Sequence, residues 1–471
     1  MDITFLSLPY VYPLCPLNFN HARMFVVADV FARWLSMKKG NKNALLIFPV
    51  ASHFTGNTAQ STSDLLKNYF SGQKNDKNVR TYDLYRNFYS TPASVIQNFT
   101  NPDYLMSYYH HEILWELNNL GVSCDYESAY TTNVDAFGCF VRAVIKCYDR
   151  EGLLVINSNG DLALNYDDDR WRDDTDSLIR TTDIQKEFQR KAVLSAFGNL
   201  SSGWELLRST GYGVEYENGL IIDPMFDSEL FMIFDLYAYW SRKLSIYINN
   251  YDLFFERLFL SLKQGKNSFT ADNEGQLLAQ RILDSLPCDI FFGEEHLKNW
   301  LSKKFFAEQR LLHPSFRTRS YRILGMGLWD GKRMSASAGH AILTRDLIRT
   351  YGGQIARLII LLSGGNISKG YDFDQSLLKD AQRIINTFSD YWILLRSCPT
   401  NGRDQIDINF CAKEIDRLIS DGQISRATYK MLVDIPAHCR HPSQECASEL
   451  LSFYDKYLNI FLPRFLLCQM Q

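Results

Sequence analysis

I-T-F-L-S-L-P (residues 3–9) is a short apolar run closed by a proline, the pattern of a buried strand. The next ten residues, V-Y-P-L-C-P-L-N-F-N (11–20), are punctuated by prolines and read as a loop. Residues 21–38 place Ala22, Phe25, Val26, Val30, Phe31 and Leu35 on one stripe at helical spacing, and Gly40 supplies a stop. N-A-L-L-I-F-P-V (43–50) then reads as a second buried strand. Strand, loop, helix, strand is the opening of a doubly wound, Rossmann-like α/β domain on a parallel sheet.

Outward from this opening, residues 103–152 read as mainly helical, and residues 160–185 as an acidic, irregular linker (D-L-A-L-N-Y-D-D-D-R-W-R-D-D-T-D). Helices are expected at 226–248, 251–264, 275–286 and 295–312. Strands are expected at C-D-I-F-F-G (288–293), which ends in a glycine turn, and at Y-R-I-L-G-M-G-L-W (321–329). From about 343 the chain reads as helical. The expected division is an α/β domain over 1–340, with a short helical insertion at about 155–285, followed by an α-helical bundle over 341–471.

With 471 residues, 46% hydrophobic and 22% charged, the chain reads as a soluble globular protein large enough for two or three domains. A net charge of −3 excludes generic electrostatic attraction to nucleic acid, so any such contact needs a local basic patch. Ten cysteines are scattered without a C-x-x-C pair, which favours reduced thiols and a cytoplasmic setting. The start M-D-I-T-F-L has no basic region of a signal peptide, and no run of about 20 apolar residues suggests a membrane span.

Five stretches carry chemistry. P-L-N-F-N-H-A-R (16–23) joins a loop to a helix start, where free N–H groups and the helix dipole attract anions and His21 can donate to a phosphate oxygen. F-P-V-A-S-H-F-T-G-N-T (48–58) follows the second strand at the carboxyl edge where open α/β sheets bind ligands; His53 there is either a substrate-pocket residue or a buried structural histidine. L-G-V-S-C-D-Y-E-S-A-Y-T-T (120–132) offers Asp125, either a partner for an ammonium group or a surface carboxylate. F-F-G-E-E-H-L-K-N-W-L (291–301) offers Gly293, Glu295 and His296. The fifth is D-G-K-R-M-S-A-S-A-G-H-A-I-L-T-R-D-L-I-R-T-Y-G-G-Q-I-A-R-L (330–358). H-C-R-H-P-S-Q-E-C (438–446) has no zinc-like spacing, so no metal site is assigned to it.

The fifth stretch resembles the K-M-S-K-S loop region of class I aminoacyl-tRNA synthetases, with Met334, Ser335, Ser337 and Gly339 in place. Arg333 and Ala336 stand at the two lysines, and Ala338 at a frequent third. The first stretch resembles the H-I-G-H region of these enzymes: His21 matches the second histidine, Asn18 replaces the first, and Asn20 replaces the glycine that lets adenine approach the backbone. The other three are similar to segments of archaeal- and eukaryotic-type leucyl-tRNA synthetases, except that Trp300 stands where a histidine is expected.

The resemblance implies ATP, with Mg2+, and an amino acid as ligands, with tRNA, a tRNA-like molecule or a carrier as acceptor. His21, Lys332, Arg333, Ser335 and Ser337 would act on phosphate. Asn18, Asn20, Gly293, Glu295, Met334 and Gly339 would surround the nucleotide, and His53, Asp125 and His296 the amino acid. The resemblance also implies that the large editing insertion of these enzymes is missing and that the C-terminal bundle is a reduced version of their tRNA-binding part. A chain with the lysines lost is expected to be either a slow ligase or a lapsed catalyst that binds tRNA, an amino acid or a partner protein in a regulatory or biosynthetic role.

Overall fold

Pro49 splits the second apolar run in two, because proline has no N–H for a ladder and suits a strand's first position. The computed structural model describes residues 2–40, 44–158, 160–166, 169–200, 204–266, 273–397 and 402–465. Its strands in chain order are β1 (Asp2–Ser7), β2 (Ala44–Ile47), β3 (Pro49–Ser52), β4 (Asp125–Thr131), β5 (Leu154–Ile156), β6 (Leu162–Leu164), β7 (Asp183–Ile184), β8 (Leu207–Arg208) and β9 (Ile221–Ile222). They continue with β10 (Asp289–Gly293), β11 (Ser320–Leu324), β12 (Gly327–Trp329), β13 (Lys332–Arg333) and β14 (Tyr371–Phe373).

The main sheet has the order β2-β1-β10-β11-β7, with every neighbouring pair parallel. The chain winds from β1 outward to β2 and later returns on the other side of β1 as β10. The strand order therefore reverses between β1 and β10, which is where a doubly wound sheet opens a crevice at its carboxyl edge. β3 pairs with β4 apart from this sheet, and β12 carries β14 on one side and β13 on the other.

Side chains alternate across the sheet, as the two-residue period of a strand requires. Phe291 and Leu324 face one core, while Ile290, Phe292, Tyr321 and Ile323 face the other. The first core is closed by the helix Phe19–Lys38 and by the helices from Thr344–Tyr351 to Gln444–Phe461. Buried on several sides at once, the first helix is apolar around most of its circumference between Ala22 and Ala32. The second core is closed by the helices Asp135–Arg150, Phe231–Leu244, Tyr251–Gln264, Asn273–Ser285 and Trp300–Leu311.

Four expectations need correction. The stretch 103–152 is two helices, Pro102–Asn119 and Asp135–Arg150, separated by β4. β4 exists because β3 pairs with it, and that partner lies far away in sequence. The acidic stretch contains the helix Asp169–Thr181, whose Trp171, Thr175, Leu178 and Ile179 sit on the face turned inward; Asp167 and Asp168 lie outside the described residues. The run 321–329 is two strands in different sheets, and the helix expected from 295 begins at Trp300, after the short turn Glu294–His296.

Arg357, fully buried, joins three parts of the first core. Its guanidinium bonds Asp29 Oδ2 of the first helix at 2.6 Å, and the carbonyls of Leu120, Ile460 and Phe461. Burial alone would raise the Asp29 pKa, but Arg357 and then Arg33 override it and hold it below the usual carboxylate range. Arg357→Met leaves this carboxylate buried without its main partner and is expected to lower stability by about 3–5 kcal/mol, read from urea unfolding.

The second core hides Glu229, whose Oε2 accepts from Tyr148 at 2.9 Å while Lys303 and Lys304 lie nearby. Burial pushes its pKa up to about 8 from 4.5. As pH rises through that window the unfolded chain gives up the proton first, so stability falls with rising pH. Glu229→Gln is expected to remove Glu229's share of this decline, measured as thermal midpoints at both ends of the window.

Candidate functional site

Two segments far apart in sequence meet at the carboxyl edge of the main sheet. The Phe19 N–H donates to Ile342 O, and the Thr344 N–H to Leu17 O, each at 2.9 Å. Between these bonds Asn18 and Leu343 form a bridge. The buried carboxylate of Glu116 accepts from the N–H groups of Leu17 (2.9 Å) and Arg345 (3.0 Å), so one side chain holds both segments. Asn18 also caps the first helix, accepting from the His21 N–H at 3.0 Å.

The cleft beside this junction is narrow, with a volume of about 70 Å³, well below that of a site open to a whole small molecule. Of the residues singled out in the sequence, Asn18, Asn20, His21, Gly293, Glu295, Arg333 and Met334 line it. His296 stands beside it, with Nε2 3.8 Å from Glu295 Oε1. Burial holds the pKa of His21 below its ordinary value, with Glu295 opposing, and burial does the same to His296. A Cβ at Gly293 would meet the Glu295 carboxylate, which would then have to turn aside.

Five residues lining the cleft were not singled out in the sequence: Arg23, Met24, Leu324, Gly325 and Met326. Arg23 bonds Gly325 O at 3.2 Å and lies 4.7 Å above the Tyr371 ring, so it is committed to the cleft wall. Its place two residues after His21 and the G-M-G at 325–327 were the available signals.

Comparison with solved structures agrees with this fold. The methionyl-tRNA synthetase of Mycobacterium tuberculosis bound by methionyl-adenylate superposes with a TM-score of 0.62 over 98% of this chain and 92% of that one, at 11% identity. The chain has the fold of a class I aminoacyl-tRNA synthetase. In sequence, leucine–tRNA ligase 2 of Metallosphaera sedula is 28% identical over 151 residues, 32% of this chain and 15% of that protein. Leucine–tRNA ligase 1 of Sulfolobus acidocaldarius is 32% identical over 138 residues, 29% of this chain and 13% of that protein. The chain thus spans only 13–15% of the length of these relatives. No family model matches it.

The synthetase-like loop is tied down along its length. Asp330 and Gly331, both at positive φ, turn β12 into β13, and the Gly331 N–H donates to Asp372. Ser335 and His340 exchange two backbone bonds of 2.7 and 3.0 Å, and the His340 ring stacks on Trp329. Tyr89 OH donates to Ala336 O at 2.9 Å. Met334 and Ala336 are buried in the first core, whereas Lys332, Arg333, Ser337, Ala338 and Gly339 are exposed. Lys332, Ser335, Ser337 and Gly339 do not line the cleft; Ser335 and Ser337 instead face each other at 3.2 Å.

The residues expected around an amino acid are divided. His53 is buried, with Nε2 2.8 Å from Asp227 Oδ1 and its ring between those of Tyr10 and Tyr12, the environment of a structural histidine. Asp125 opens β4 and does not line the cleft. The helix Phe231–Leu244 presents Phe231 and Phe234 to a tight aromatic cluster with Tyr10, Tyr130, Phe137 and Trp300. Trp300, at the expected histidine position, is thus a core side chain that also touches His296. Arg317, Arg319 and Arg322 do not replace the missing lysines. Arg317 bonds backbone carbonyls, Arg319 pairs with Asp289 and Arg322, midway along β11, with Asp183.

Since Ala336 faces the core and Ala338 faces solvent, Ala336→Lys is expected to lower stability by about 1–3 kcal/mol, the cost of a buried polar group without a partner. Ala338→Lys is expected to stay within about 0.5 kcal/mol of the parent. Paired urea titrations check this.

Proposed function

We propose that this chain is an ATP-dependent amino-acid-activating ligase. An amino-acid carboxylate oxygen attacks the α-phosphorus of ATP, the bond to the β-phosphate breaks and pyrophosphate leaves. The aminoacyl group of the adenylate then passes to tRNA or to a tRNA-like or carrier acceptor. The observation that carries this reading is the meeting of His21, Glu295, Arg333 and Met334 in one cleft at the switch point of a parallel sheet. The helix start and His21 offer donors to phosphate, and Arg333, with Lys332 beside it on β13, supplies positive charge. Glu295 suits the hydroxyls of a ribose, and His296 is the residue nearest to it for the amino acid.

Mg2+ would arrive on the ATP phosphates. Among the described residues no group of three or more His, Cys, Asp or Glu could hold a metal, and Glu295 is the carboxylate that lines the cleft. The reading omits editing. The described elements of residues 155–285 bury Ile179, Val193, Phe231, Phe255 and Leu278 in the same core as the sheet, as parts of the main body rather than as a separate unit. A cytoplasmic setting goes with this reading, since the buried thiols of Cys124, Cys288 and Cys411 are unpaired.

A second reading is favoured by Ala336, which is turned into the core where a phosphate-binding lysine is expected. The chain would then be a lapsed catalyst that binds tRNA, an amino acid or a partner protein.

Amino-acid-dependent exchange of pyrophosphate into ATP separates the two. Exchange with at least one of the common amino acids is expected, falling about tenfold to a hundredfold in Arg333→Ala, the loss of one charged hydrogen bond. Silence across all of them rejects the ligase and leaves the lapsed catalyst.

A further inference from the structure

A backbone N–H and C=O on one residue, both facing a cleft, form a donor–acceptor pair that fits the edge of a nucleobase. Gly327, buried next to Gly325 and Met326 of the cleft wall, carries such a pair, and it is already taken. Asn20 Oδ1 accepts from the Gly327 N–H at 3.0 Å, and Asn20 Nδ2 donates to Gly327 O at 3.2 Å. A carboxamide has an acceptor and a donor side by side, the same array that adenine shows along its Watson–Crick edge. Tyr371 OH donates to the same Oδ1 at 3.0 Å, so that oxygen has no lone pair left to offer.

The placement matters as much as the bonds. Asn20 lies in the first turn of the helix whose start and His21 face the cleft. Gly325 and Met326, just before Gly327, line the same cleft. A Cβ at 327 would crowd the Asn20 amide and the Tyr371 hydroxyl, so those side chains would have to shift. At Gly327 the Asn20 amide meets bare backbone.

We propose that Asn20 is a latch on a nucleobase subsite: its carboxamide occupies the Gly327 pair and must swing away before the base of a bound nucleotide can reach it. This rests on the reading that the cleft takes a nucleotide. Opening the latch breaks three hydrogen bonds, so the base contributes little to affinity while the phosphates bind unaffected. Base affinity in this chain is set by residue 20, not by the wall that the base would touch.

Calorimetry on the full chain, with ATP and inorganic tripolyphosphate as separate probes, tests this. Asn20→Gly is expected to bind ATP about tenfold tighter or more than the parent, with tripolyphosphate within about twofold. Tyr371→Phe, which removes one of the three bonds without touching the helix, is expected to shift ATP binding in the same direction by less; it carries the test if the glycine variant folds poorly. Equal or weaker ATP binding in both variants overturns the latch, as does the absence of ATP binding in parent and variants alike. Tighter ATP binding without pyrophosphate exchange upholds the latch while the ligase reading fails. Exchange with no effect at residue 20 does the reverse.

Discussion

The cleft depends on a junction between Leu17–Phe19 and Ile342–Thr344, segments that only tertiary structure brings together. Two backbone hydrogen bonds contribute modestly on their own, each about 1 kcal/mol net. Glu116 changes the balance, because its two carboxylate oxygens accept from the Leu17 and Arg345 N–H groups in a place without water. Either N–H would otherwise be buried unpaired, at about 1–3 kcal/mol each. Burial pushes the Glu116 pKa well above the usual carboxylate range, with the Leu17 N–H opposing. The helix start, the loop and the helix that follows it are thus fixed by groups that are satisfied only together.

That constraint explains why residues flagged on the first helix, after β10 and in the loop meet in one cleft. A strand, a proline-broken loop, a helix start and a glycine-closed strand are all local features, and a parallel sheet with right-handed returns leaves few ways to arrange them. His21, Gly293, Glu295, Arg333 and Met334 converge for that reason. What was not legible depended on partners distant in sequence. β4 is a strand only because β3 lies beside it, and His53 is committed because Asp227 reaches it from more than a hundred residues away. Trp300 resembles a substituted ligand residue in one dimension and is part of an aromatic core in three.

The two substitutions that look like losses in sequence are occupied positions in the structure. Ala336 is a small core residue under Tyr89, and its carbonyl satisfies that hydroxyl. A lysine there would have to leave the loop's inward face, so the alanine and the packed loop conformation belong together. Asn20 likewise welds the first helix to β12 through a backbone pair that has few other partners within reach. Each position is engaged in an internal contact.

The electrostatics of the cleft follow from such internal contacts. Arg23 is spent on Gly325 O and the Tyr371 ring, and burial disfavours the charged forms of His21 and His296. Among the residues lining the cleft, Arg333 is therefore the exposed cation, and Glu295 is the carboxylate that shares the cleft with it. One mobile cation and a helix dipole can attract a polyphosphate, because the dipole adds about half a unit charge at the helix start. They hold it less firmly than a pair of lysines on a flexible loop would, and a loop pinned at Asp372, Trp329, Tyr89 and Leu17 has little freedom to close. Binding in such a site is governed by what is already in place before the ligand arrives.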